Sequence, residues 1–336
     1  MKKILITGTS GFIGFHLAKL LLNKGHDVHG YDGMINYYDL KLKYDRQNIL
    51  QQNSKFSSTT GKLEDFTKLH KVTNTFQPDY IIHLAAQAGV RYSIEKPREF
   101  IDSNIIGTFN ILEIAKKLEV KHLLMASTSS VYGNNLSLPF NENEKTDKQL
   151  SIYAATKKAN ECMAYSYSHL WKIPTTICRF FTVYGPWGRP DMALYKFISA
   201  ILHNKKIDIY NHGDLYRDFT YIEDVVHGIS LLMNAIPENI NEKESSKNEN
   251  ISAFAPYRLV NIGNSNTVKL TDFIEIIEEV LEKKAIRNYM PMQKGDIKVT
   301  AADISLFKKL TGFCPKTNIK DGIVQSIKWY RKYYNV

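Results

Sequence analysis

Cysteine is scarce in this chain: Cys162, Cys178 and Cys314 are the only three in 336 residues. They are too few and too far apart for a disulfide framework or a zinc site, so the sequence reads as metal-free and suited to a reducing compartment, the cytoplasm. Long apolar runs are missing as well. Nothing approaches the ~18 consecutive apolar residues of a membrane span, and the apolar start Ile4-Leu-Ile6 is broken by Gly8 and Gly11, too soon for the core of a signal peptide. A block of one charge sign is also lacking. The net charge is +10, but 44 Lys and Arg are interleaved with 34 Asp and Glu along the chain. That scatter argues against a nucleic-acid or membrane surface and for a basic enzyme that takes anionic ligands. There is no internal repeat. What is present is 43% hydrophobic residues, enough for a large core in one big domain or two coupled ones.

The N-terminal half alternates strand and helix signals. An apolar run at Lys3 to Thr7 leads into the turn Gly8-x-x-Gly11-x-x-Gly14, and Phe12 to Asn23 has helical periodicity that stops at Gly25. A second strand, His26 to Asp32, ends in an acid. This is the opening of a dinucleotide-binding βαβ unit: the glycines let the backbone approach a pyrophosphate, which rests on amides at the helix N-terminus. A carboxylate at Asp32 bonds an adenosine ribose and repels a 2′-phosphate, which favours NAD over NADP. The rhythm continues with a strand at Lys55 to Thr59, a helix at Asp65 to Thr75, a strand at Tyr80 to Leu84, a long helix at Arg98 to Leu118, and strands at His122 to Ser127 and Thr175 to Phe180. The predicted fold is α/β: a doubly wound parallel Rossmann sheet over residues 1–180, joined by returning segments near 213–232 and 258–264. Residues 181–336 form a smaller, mixed α/β substrate lobe. Asn239 to Asn250, rich in Asn, Glu, Lys and Ser, reads as a solvated loop. Amphipathic helices are predicted at Asp272 to Lys284 and Asp321 to Tyr333.

Two stretches carry the chemistry. Tyr153-Ala-Ala-Thr-Lys157 puts a phenol and an ammonium on one face of a helix. A phenol titrates near about 10, so it acts as a base near neutral pH only if its anion is stabilised, and a nearby cation is one way to do so. Ser127-Thr-Ser-Ser130 places hydroxyls in a row at the C-terminal end of a strand, where parallel sheets bind ligands. Ser151 is placed to cap the helix that carries Tyr153.

These residues, at these spacings, resemble the extended short-chain dehydrogenase/reductase family. Within it the chain is most similar to the nucleotide-sugar epimerases that act on UDP-glucuronate. The match runs nearly end to end; its most specific pieces include Asn36-Tyr-Tyr-Asp39, His83-Leu-Ala-Ala-Gln-Ala-Gly-Val-Arg-Tyr-Ser93, Arg179-Phe-Phe-Thr-Val-Tyr-Gly-Pro-Trp-Gly-Arg189 and Gly295-Asp296. The resemblance implies a tightly held NAD contacted by Gly8, Gly11, Phe12, Ile13, Gly14, Asp32, Asn36, Leu63, Leu84, Ala85, Ala86, Tyr153, Lys157, Phe180 and Val183. It implies Thr128, Tyr153 and Lys157 as catalytic residues, with Tyr153 the base, Lys157 its tuner and Thr128 a partner at the sugar's 4-oxygen. A UDP-sugar would meet Arg91, Ser129, Ser130, Thr182, Arg189, Lys196, Tyr210, Arg217, Arg258 and Asp296. The implied reaction is oxidation at C4 to a 4-keto sugar, which turns over and is reduced on its other face, in a homodimer. Related dehydratases carry Asp-Glu directly after the catalytic Thr and related decarboxylases carry Glu there; here Ser129 and Ser130 stand instead, which favours epimerisation. Another UDP-sugar, decarboxylation of UDP-glucuronate, or a silent NAD-binding scaffold remain alternatives. The chain departs from the family pattern at Lys62, where an acid is usual, at Glu223 and at Lys294.

Overall fold

The computed structural model of the protein describes residues 1–238, 252 and 254–336; the loop expected at Asn239 to Asn250 lies outside the described residues. Seven parallel strands form the main sheet: β1 (Lys3–Thr7), β2 (Asp27–Asp32), β3 (Phe56–Thr60), β4 (Tyr80–His83), β5 (His122–Thr128), β6 (Thr175–Phe180) and, as the returning strand, Tyr257–Ile262. Their order is β3-β2-β1-β4-β5-β6 with the returning strand at the far edge. The direction of winding changes between β1 and β4, and the open crevice of such a sheet lies there, past the C-terminal strand ends.

The central strands are buried on both faces. Ile4, Leu5, Ile6, Ile81 and Ile82 are fully buried, which is why they read as near-continuous apolar runs rather than alternating ones. The first helix, α1 (Phe12–Asn23), buries Phe12, Phe15, Leu17, Ala18, Leu21 and Leu22 against the sheet. A fully buried Phe such as Phe15 contributes about 1.5–3 kcal/mol relative to its exposed state. Two helices had no clear periodic signal. One is α2 (Leu40–Gln51), capped by Asp39, whose buried face includes Lys43 and Arg46. The other is the short α3 (Val90–Glu95).

The long helix predicted at Arg98 to Leu118 is not uniform. It begins as Pro97–Phe100, widens to a π-helical stretch at Ile101–Ile106, and continues as Gly107–Lys117. The π turn points Asn104 inward. Its side chain accepts from Gln87 N at 2.8 Å, donates to Gln87 O at 3.0 Å and donates to Thr156 Oγ1 at 3.0 Å. That ties the loop after β4 to the helix that carries Tyr153; π turns occur frequently at such functional points.

The remaining chain adds two small sheets, one of three strands (Thr182–Tyr184, Tyr216–Tyr221 and Thr267–Lys269) and one of two (Lys206–Ile209 and Ile286–Tyr289). The helix Ile222–Leu232 packs back on α1. The C-terminal helix Ile319–Tyr334 places Trp329 and Tyr333 against Trp187, with ring centroids 5.2 Å apart in both pairs.

Candidate active site

A cleft of about 780 Å³ opens past the C-terminal ends of the strands. Its floor is the glycine turn. Gly8 has φ +83°, a left-handed conformation, and a Cβ there would lie 2.9 Å from Ala85 N; a Cβ on Gly14 would collide with the Gly8 carbonyl oxygen. The N-cap of α1 is Gly11, which supplies no side-chain acceptor, so the first-turn amides face the cleft uncapped. At the end of β2 each oxygen of Asp32 accepts one backbone N–H, from Ser10 and Met34, both at 2.9 Å. Each keeps lone-pair capacity for a sugar hydroxyl. A glycine cradle with free amides and an acid one strand away fits a dinucleotide. Gly14→Ala is therefore expected to reduce the NAD retained by the purified protein roughly tenfold or more, since overpacking a tight turn costs ~1–3 kcal/mol; nucleotide released on denaturation measures it.

The opposite wall is α4 (Ile152–Trp171). Ser151 caps it, its Oγ accepting Ala154 N–H at 3.1 Å. Tyr153 is half-buried and opens on the cleft. Burial pushes its phenol up, while the Thr128 hydroxyl and the Arg189 charge pull it the other way. Lys157 is buried, and burial lowers its ammonium to about 8. It donates to Ala126 O at 2.9 Å. The lysine is thus anchored to the end of β5, and burial governs the phenol.

Thr128 ends β5 and caps the one-turn 3₁₀ helix Ser129–Tyr132: its Oγ1 accepts Ser130 N–H at 3.2 Å and donates to Ser130 Oγ, also at 3.2 Å. One turn beyond Lys157, Glu161 forms a buried bidentate pair with Arg179 at 2.9 and 2.8 Å and accepts from Ser127 Oγ at 2.6 Å. This clamp fixes α4 against β5 and β6, so the spacing of Tyr153 from Thr128 is set by a pair that the sequence alone did not single out. The i+4 stripe Tyr153, Lys157, Glu161 was its available signal.

The cleft brings together every residue expected at the cofactor: Gly8, Gly11, Phe12, Ile13, Gly14, Asp32, Asn36, Leu63, Leu84, Ala85, Ala86, Tyr153, Lys157, Phe180 and Val183. It also gathers Thr128, Ser129, Ser130, Thr182 and Arg189. Four more expected contacts lie beside it in two pairs. The Arg91 guanidinium stands over the Tyr210 ring at 4.9 Å, and Arg217 pairs with Asp296 at 2.7 Å. A Cβ on Gly295 would lie 3.3 Å from Val90 Cγ1, so the loop bearing Asp296 abuts the cleft wall at Val90. Lys196 is exposed on the helix Ala193–Leu202 and is not in the cleft lining.

Arg258 is corrected by the structure. It is 3% exposed, and its Nε donates to Thr176 Oγ1 at 3.1 Å within the core. Its register partner on β6 is Thr176, near the strand's start, whereas Phe180 and Ile262 mark the ligand end. Lys62 stands exposed at the rim, 3.9 Å from Glu64.

The family model described as GDP-mannose 4,6 dehydratase matches residues 5–326. The chain belongs to this family of extended short-chain dehydrogenases/reductases. Among its relatives, a Rhizobium meliloti (strain 1021) protein named "Probable UDP-glucuronate 4-epimerase" is 49% identical over 333 residues, 99% of this chain and 98% of the relative. UDP-glucuronate 4-epimerase 3 of Arabidopsis thaliana is 41% identical over 99% of this chain and 77% of its own. Among solved structures, UDP-glucuronic acid 4-epimerase from Bacillus cereus in complex with UDP-glucuronic acid and NAD superposes with a TM-score of 0.87. It is 32% identical and covers 99% of this chain and 100% of that one.

Proposed function

We propose that this chain is an NAD-dependent UDP-glucuronate 4-epimerase, interconverting UDP-glucuronate and UDP-galacturonate through a 4-keto sugar. The observation that carries the reading is the turn after Thr128: Ser129 and Ser130 line the cleft with Thr182 and Arg189, and no carboxylate follows the catalytic threonine. Neutral hydroxyls and a guanidinium hold a sugar carboxylate; an acid at the same place repels it or does proton chemistry. Tyr153 Oη takes the proton from the C4 hydroxyl, and Thr128 Oγ1 bonds the 4-oxygen. Bound NAD supplies a hydride acceptor and donor for C4, and its positive charge favours the phenolate. Ser129, Ser130, Thr182 and Arg189 grip the C5 carboxylate, which restrains decarboxylation of the β-keto acid. Arg91, Tyr210, Arg217 and Asp296 take the UDP moiety. Residues 1–180 with the returning segments near 213–232 and 258–264 hold the cofactor, and residues 181–336 supply the substrate lobe.

The enzyme works as a homodimer in the cytoplasm. Ile101, Ile106 and Phe109 on one helix and Ile152, Leu170 and Trp171 on α4 are exposed apolar side chains that a second copy covers. The three cysteines are unpaired, as in a reducing compartment. Sedimentation is expected to give twice the 38.6 kDa chain mass, and a monomer contradicts the dimer. Initial rates with UDP-glucuronate, UDP-glucose and UDP-N-acetylglucosamine test the substrate: UDP-glucuronate is expected to be preferred by roughly tenfold or more, the value of a bidentate charged contact. Equal rates contradict the reading.

A further inference from the structure

Arg189 already holds a carboxylate. Its Nε and Nη2 donate to the two oxygens of Asp191, at 3.0 and 2.6 Å, within one turn of the chain. The guanidinium also stands over the Tyr37 ring, 5.5 Å from its centroid. The Tyr37 hydroxyl donates to the same Asp191 Oδ2 at 3.1 Å. The Arg189 and Asp191 side chains are 22% and 25% exposed, so the pair is largely shielded from water. Burial opposes both charges, yet the pairing outweighs it, holding the Asp191 carboxyl below its ordinary range and the Arg189 guanidinium above. The Arg189 charge in the cleft is thus neutralised by the chain itself.

We propose that Asp191 stands in for the substrate's carboxylate: it holds Arg189, yields it when an acidic sugar enters, and so sets the selectivity for acidic over neutral UDP-sugars. The proposal rests on the reading of the site as a hexuronate site. A guanidinium fork donates to one planar carboxylate in bidentate fashion along a given edge. A hexuronate carboxylate competes for that edge; the hydroxymethyl group of a neutral hexose does not displace an ionised acid from it. Without Asp191, Arg189 would carry a shielded, uncompensated charge before a sugar binds, which is costly. Once released, Asp191 is not orphaned, because the Tyr37 hydroxyl still donates to it. Tyr37 adjoins Asn36 in the segment after β2, so the acid is parked against the cofactor side of the cleft. Asp191 acts through Arg189 and is a positioning residue.

Titration calorimetry of the NAD-loaded protein with UDP-glucuronate and with UDP-glucose tests this. Asp191→Asn removes a competing like charge, so UDP-glucuronate is expected to bind roughly tenfold tighter, with UDP-glucose unchanged. Tyr37→Phe removes the parking bond and is expected to weaken UDP-glucuronate by about threefold with UDP-glucose unchanged. The opposite signs separate the proposal from a structural role, which weakens both ligands in both variants, and Tyr37→Phe carries the test if Asp191→Asn does not fold. An unchanged ratio of the two affinities in the variants overturns the role of Asp191 alone. A wild-type protein that does not favour UDP-glucuronate over UDP-glucose overturns the hexuronate reading itself.

Discussion

Tyr153→Phe is expected to lower turnover of UDP-glucuronate by roughly 10²–10⁴-fold, the range that a positioned acid–base group supplies, while NAD stays bound. The substitution removes one oxygen. The ring keeps its edge-to-face contact with Phe100, 6.1 Å between centroids, and the helix keeps its Ser151 cap. The fold and the glycine cradle are therefore untouched, and lost activity reports the missing proton acceptor. Thr128→Val, which removes the neighbouring hydroxyl, is expected to cost less because it supports the transfer rather than performing it. Stopped-assay rates with bound NAD quantified in parallel separate the two. A Tyr153→Phe protein within about threefold of wild type would place the base elsewhere, outside the range expected for acid–base catalysis.

The second large effect concerns stability. Glu161→Ala is expected to destabilise the protein by about 3–5 kcal/mol, because it leaves Arg179 as an unpaired charge in the core. Arg179 and Glu161 side chains are 1% and 3% exposed. Burial alone pushes the Glu161 carboxyl up, but the Arg179 and Ser127 bonds outweigh it and hold it below its ordinary 4.5. A depressed carboxylate stabilises the fold above its unfolded value, so this contribution is present at neutral pH and is lost as the pH falls below about 4.5. Urea unfolding at neutral and acid pH checks both parts. A variant as stable as the wild type would mean that the clamp is not what fixes α4 to the sheet.

The cofactor half of the site was legible because its signals are local. A glycine turn between a strand and a helix, and an acid at the end of the next strand, dictate backbone geometry within 32 residues, and Gly8 to Asp32 fold as read. Tyr153 and Lys157 were legible for the same reason, being one helical turn apart. Arg258 was misplaced because its motif names a strand but not which end of that strand reaches the cleft. α2 escaped because Lys43 and Arg46 share its buried face with Leu42 and Leu50, which breaks the apolar periodicity. Asn104, Glu161 and Asp191 escaped because their partners are elsewhere in the chain or their pairing depends on the shape of one turn.

The central claim is reversible C4 oxidation of a UDP-hexuronate that stops at epimerisation. Its most direct test is proton NMR of the purified protein incubated with UDP-glucuronate and no added NAD. The expected result is a mixture of UDP-glucuronate and UDP-galacturonate that approaches equilibrium from either side, with no carbon dioxide released. A UDP-pentose product, or no change in UDP-glucuronate by a protein that retains NAD, would contradict it.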